Sequence, residues 1–166
     1  MSDTNPLDIL KKALLLEMRG RSFYAKVARQ TDMEPVREFF EMMAAEEKQH
    51  VNELSRQYKA YQAEGRFVES TEENGKDSVA TGVLTNQLKK RITAASFEAA
   101  AVSAAMSMEQ KAISLYAKEA KSAADPKAQQ VYQWLADWER NHLEMLAEID
   151  REITENIWND NNFWPF

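Results

Sequence analysis

One self-similarity constrains this chain more than any other feature. Slid by 92 residues, the sequence meets itself: residues 13–54 match residues 105–146 without a gap at 11 of 42 positions. ALLLEMRGRSFYAKVA falls on AMSMEQKAISLYAKEA, and the matches include Glu17 with Glu109, Tyr24 with Tyr116, Glu47 with Glu139 and His50 with His142. The two histidines are the only ones in 166 residues, and each stands three places after a glutamate, one helical turn on. A repeat of this length describes two similar units, each too small to bury its own apolar face, that pack against one another.

Each unit reads as a helical hairpin. Only four Gly and four Pro in the chain favour helix almost throughout. The first helix is expected from Pro6, capped by Asn5 or Thr4, to about residue 31, because proline suits the first helical turn. Its stripe is Leu7, Leu10, Leu14, Tyr24, Val27 and Ala28, with Glu17 on the same face. TDMEP breaks it, and a second helix follows over about 34–64 with Val36, Phe40, Met43, Leu54 and Tyr61 inward. Residues 65–95 contain Gly65, Gly75 and Gly82 around the polar run ESTEENGKDS, and read as a long connection with a short helix near 83–91. A third helix spans about 96–123. Asp125 and Pro126, a cap and a first-turn proline, open a fourth that reaches about 157. The tail from 158 to 166 carries Trp158, Phe163, Trp164 and Phe166, and is expected to fold back over the bundle or a neighbouring subunit.

The repeat also dictates topology. Two hairpins related by a two-fold axis across a bundle start at opposite ends, so the chain must travel the bundle's length between them. A helix of ~26 residues is about 40 Å long, a span the 31-residue connection covers easily. The expected fold is all-α: one domain over residues 1–166, a four-helix bundle of two hairpins joined by a long crossover.

Glu17, Glu47, Glu109 and Glu139 then lie where the helical pattern asks for apolar residues. Buried together, four carboxylates repel one another and pick up protons. Two divalent cations neutralise four negative charges, and His50 and His142 each add an imidazole nitrogen. A Glu from each of two helices, with Glu-x-x-His from each of the other two, is the ligand set of di-iron and di-manganese bundles. The reading assigns Glu47 and Glu139 as bridges, Glu17 and Glu109 as terminal ligands, and one histidine to each metal. Iron fits this mixed donor set, with manganese as the alternative. Tyr24 and Tyr116, two turns beyond Glu17 and Glu109, are placed to donate hydrogen bonds to liganding carboxylates. Glu46 precedes Glu47 and has the reach to meet a histidine across the bundle, although its repeat mate is Trp138. Trp134 and Trp138 read as core or dimer surface.

Composition removes other classes. No cysteine means no disulfide, no zinc–thiolate site and no iron–sulfur cluster within these residues. A net charge of −6 argues against binding a nucleic-acid backbone. The N-terminus lacks the basic-then-apolar order of a signal peptide and no apolar run is long enough to span a membrane, so a cytoplasmic setting is expected.

The strings LLLEMRGRSFYAKVA, MAAEEKQHVNEL, AMSMEQKAISLYAKEA and LADWERNHLEML resemble the ferritin-like di-iron carboxylate superfamily, and most of all its rubrerythrin-like branch without a rubredoxin domain. The resemblance implies an oxidoreductase whose di-iron centre, held by Glu17, Glu47, His50, Glu109, Glu139 and His142, acts on Fe(II) with O2 or hydrogen peroxide. It also implies a separate electron donor and a homodimer. One turn after Glu109, where peroxide-reducing rubrerythrins carry a further glutamate, stands Ala112. The symmetric six-residue set is similar instead to the ferroxidase centre of bacterioferritin. Two alternatives differ in class: iron storage in a larger oligomer, and a metal-stabilised helical interaction module without catalysis.

Overall fold

A computed structural model of the protein describes residues 5–71, 88, 91, 92 and 96–160. Its helices are α1 (Pro6–Gln30), α2 (Glu34–Glu64), α3 (Phe97–Ser122) and α4 (Pro126–Asp160). The helix ends follow local chemistry. Asn5 caps α1, its side chain accepting from the Leu7 amide at 3.1 Å. Ser96 does the same for α3 through the Ala99 amide at 3.2 Å. Asp125 accepts from the Lys127 amide at 2.8 Å just ahead of Pro126. Gly65 ends α2 at φ 67°, a left-handed cap that costs a residue with a Cβ far more.

α1 packs along α2 and α3 along α4, each pair joined by a three-residue turn, whereas α1 and α3 approach one another more sparingly. Two apolar clusters hold the hairpins together. One joins Tyr24, Val36 and Phe40 from the turn end of the first hairpin to Val102 and Ile149 from the open end of the second. The other joins Leu10 and Leu54 to Tyr116 and Leu135 in the reverse sense. The hairpins therefore run in opposite directions, as the repeat requires, and the end of α2 and the start of α3 lie at opposite ends of the bundle. Thr31, in the first turn, donates to Glu98 at the start of α3 at 2.8 Å, a bond only that arrangement allows.

Some details differ from the sequence pattern. Leu7 and Leu14 are only half buried, and Ala13 and Gly20 take the inward positions of α1. α4 continues to Asp160, so Trp158 is helical rather than the start of an irregular tail. Asn and Asp cost a helix less than about 0.7 kcal/mol each, and the backbone conflicts of Pro165 reach no further back than residue 161. The expected short helix near 83–91 lies almost wholly outside the described residues, as do Phe163, Trp164 and Phe166. Among the described residues, no helix is long and apolar enough to cross a membrane.

Candidate metal centre

Between the two apolar clusters, the four helices turn one polar face inward. Glu17 comes from α1, Glu47 and His50 from α2, Glu109 from α3, Glu139 and His142 from α4, and none is more than 3% exposed. The helical period puts Glu47 and His50 on one face of α2, and Glu139 and His142 on the matching face of α4. All six predicted residues meet in one cluster.

Their donor atoms form two overlapping groups. Glu17, Glu47, His50 and Glu139 each offer an atom within 4.8 Å of the others, and so do Glu47, Glu109, Glu139 and His142. Glu47 and Glu139 belong to both. Each histidine turns Nδ1 inward. That of His50 lies 3.0 Å from Glu17 Oε2 and 2.9 Å from Glu139 Oε1. That of His142 lies 3.1 Å from Glu139 Oε2 and 3.3 Å from Glu47 Oε1.

Tyrosines close the cluster from across the bundle. Tyr24 on α1 donates to Glu109 Oε1 on α3, and Tyr116 on α3 donates to Glu17 Oε1 on α1. Burial, then the charge of neighbouring carboxylates, raises both phenols well above their usual range, so they remain donors.

The carboxylates divide by electrostatics. Burial, with Glu139 and Glu47 nearby, pushes Glu17 well up. Burial and then Glu139 push Glu109 up to about 8. Burial also acts on Glu139, but the two histidines outweigh it and hold Glu139 well below the usual carboxylate range. Glu47 is held down too, hydrogen bonding with Glu17, His142 and His50 overcoming burial and the charge of Glu139. Desolvation opposes charge on both imidazoles, yet the surrounding carboxylates raise each well above its ordinary value. Without a metal, the protein's own groups therefore approach neutrality through protons.

These residues fit a pair of divalent metals. Four carboxylates balance two dications, and both Nδ1 atoms face the donor groups. A cavity of about 330 Å³ opens onto the same carboxylates between α1 and α3. Gly20 and Ala112, which are repeat mates, give it room, with Arg19 and Lys111, also repeat mates, beside them.

Sequence reasoning missed Gly20. A Cβ built there would lie 3.4 Å from the Glu47 carboxylate. The available signal was a glycine in mid-helix, which costs about 1 kcal/mol against alanine and so asks for a reason. It also missed that Trp134 and Trp138 stand T-shaped to His50, with ring centroids 5.4 and 5.5 Å away. Glu46, only weakly marked by the pattern, does reach His142: its Oε2 is 2.6 Å from Nε2.

A four-helix bundle enclosing carboxylates and paired Glu-x-x-His sites places the chain among the ferritin-like di-iron carboxylate proteins. More particularly, it belongs to the rubrerythrin family, whose model matches residues 8–150. Comparison with curated proteins and with solved structures yields no match.

Proposed function

We propose that the protein is a di-iron oxidoreductase acting on Fe(II) with O2 or hydrogen peroxide. The observation that carries this reading is the pair of donor groups sharing Glu47 and Glu139. Carboxylate and imidazole donors in this mixture suit iron, with manganese next. Glu17 and His50 would complete one position, Glu109 and His142 the other. Bound there, a pair of irons supplies the electrons that reduce O2 or peroxide. The chain's own contribution is to hold, orient and exclude. Tyr24 and Tyr116 fix one oxygen of each terminal carboxylate, leaving the other free to bind. The apolar clusters on either side keep bulk water from the carboxylates. The cavity beside Gly20 and Ala112 gives a small oxidant a way in.

A separate electron donor and a cytoplasmic homodimer belong to the same reading. Leu15 and Met18, 55% and 53% exposed one turn apart on α1, support a subunit contact there.

The test is direct. Protein stripped of metal and given Fe(II) without oxygen is expected to take up two irons per chain, and to develop a visible absorption band when O2 or peroxide is admitted. Iron uptake near zero would sink the proposal.

A further inference from the structure

The two halves of the centre match residue for residue until the outer nitrogen of each histidine. Terminal carboxylates Glu17 and Glu109 each receive a tyrosine, and both Glu-x-x-His pairs are intact. Beyond His142, Glu46 Oε2 lies 2.6 Å from Nε2. Trp138 Nε1 donates to that same oxygen at 3.4 Å, steadying the carboxylate. Beyond His50 there is no such group among the described residues. The repeat mate of Glu46 is Trp138 itself, and His50 Nε2 is buried with no hydrogen-bond partner among the described residues. Its ring stands T-shaped to Trp134 and Trp138, at interplanar angles of 82° and 87°, and tilted against the His142 ring.

We propose that the two metal positions are inequivalent by construction: the one offered by Glu47, Glu109, Glu139 and His142 fills first, and Glu46 is the positioning residue that makes it so. The inference rests on the metal reading above. To bind a metal through Nδ1, a neutral imidazole must carry its proton on Nε2. In His142 that proton goes to Glu46, which fixes the tautomer, holds the ring plane and makes Nδ1 a stronger donor. In His50 the same N–H has no acceptor among the described residues, and leaving a buried donor unmade opposes binding. Both positions draw on the same ligand types, and the hydrogen bond at Nε2 is made on one side alone, so that difference sets the order of filling. Partners of this kind typically change metal affinity by about 10- to 100-fold.

Co(II) titration of the metal-stripped full chain reads this without any catalytic assay. Wild-type protein is expected to bind two Co(II) in steps about 10-fold or more apart, with the first ion located beside His142 by anomalous diffraction at one equivalent. Glu46→Leu is expected to weaken the first step by about 10- to 100-fold and leave the second nearly unchanged, closing the gap. Glu46→Gln, which keeps an acceptor but not the charge, is expected to fall between. His50→Ala should retain the tight step and His142→Ala should lose it, a split that general destabilisation does not produce. Two indistinguishable steps in the wild type, or a first ion beside His50, would overturn this inference while leaving the metal reading intact. Failure to take up Co(II) or Fe(II) at all overturns both.

Discussion

Tyr24 donates its phenolic hydrogen to Glu109, a residue 85 positions away on the opposite hairpin. Its repeat mate Tyr116 makes the same bond to Glu17, so each half of the molecule orients the terminal carboxylate of the other. The centre is therefore built across the hairpin interface, and neither hairpin holds a complete donor group alone.

Tyr24→Phe is expected to weaken binding at the Glu109 and His142 position, and Tyr116→Phe at the Glu17 and His50 position. The loss in each should be about 10-fold or more, with the other position much less affected. A loss of about 1–3 kcal/mol in folding stability is expected alongside, because a buried carboxylate oxygen loses its donor. Stepwise metal titration with parallel thermal melts checks both. Equal weakening of both positions by either variant contradicts the crossed arrangement.

Removing a ligand should sort the six residues into two kinds. His50→Ala or His142→Ala is expected to cost occupancy mainly at one position, since each imidazole belongs to one donor group. Glu47→Ala or Glu139→Ala should cost both, since each carboxylate belongs to both groups. Metal analysis per chain distinguishes these outcomes, and four identical losses would count against the shared roles.

The bundle and the cluster were legible in the sequence because both obey a period. Glu17, Glu47 and His50 recur at one offset as Glu109, Glu139 and His142, and helical spacing places each on an inward face. What was not legible depended on close packing between helices. Gly20 matters because Glu47 passes beside it, and the indoles around His50 follow from how α2 meets α4. The bond from His142 to Glu46 joins residues 96 apart, and in the repeat it appears only as a broken match. The end of α4 was misjudged because weak local preferences of Asn and Asp were read as a stop.

The cavity gives a prediction that separates access from metal binding. Ala112 is 7% exposed and lines the opening without offering a donor atom. Ala112→Leu fills part of that space, and is expected to slow reoxidation of the iron-loaded protein by O2 or peroxide several-fold while two irons per chain are retained. Stopped-flow oxidation with iron analysis is the measurement. An unchanged rate at full loading would mean that oxidant arrives by another route.

The last prediction concerns the sign of the pH dependence. Glu17, Glu109, His50 and His142 all have their folded pKa raised, Glu109 to about 8 from an ordinary 4.5. Each raised group stabilises the metal-free fold fully below its unfolded pKa and loses that contribution as pH climbs through the folded value. Glu47 and Glu139, held down, act oppositely: their contribution is present above about 4.5 and fades as pH falls through their folded values. Metal-free protein should therefore be most stable in mild acid, near pH ~5, and lose stability toward pH ~8. Metal reverses the slope. At neutral pH Glu109 is still largely protonated, and the shifts of Glu17, His50 and His142 also favour their protonated forms, so two divalent ions that use all six ligands must displace protons. Metal uptake at pH ~7 is thus expected to release protons, measurable by calorimetry in buffers of different ionisation enthalpy. The gain in melting temperature on adding metal should widen steadily from pH ~5 to pH ~8, as protons compete less for the ligands. Melting curves that stay parallel across that range, with no proton release, would show that the four groups are not protonated in the metal-free fold.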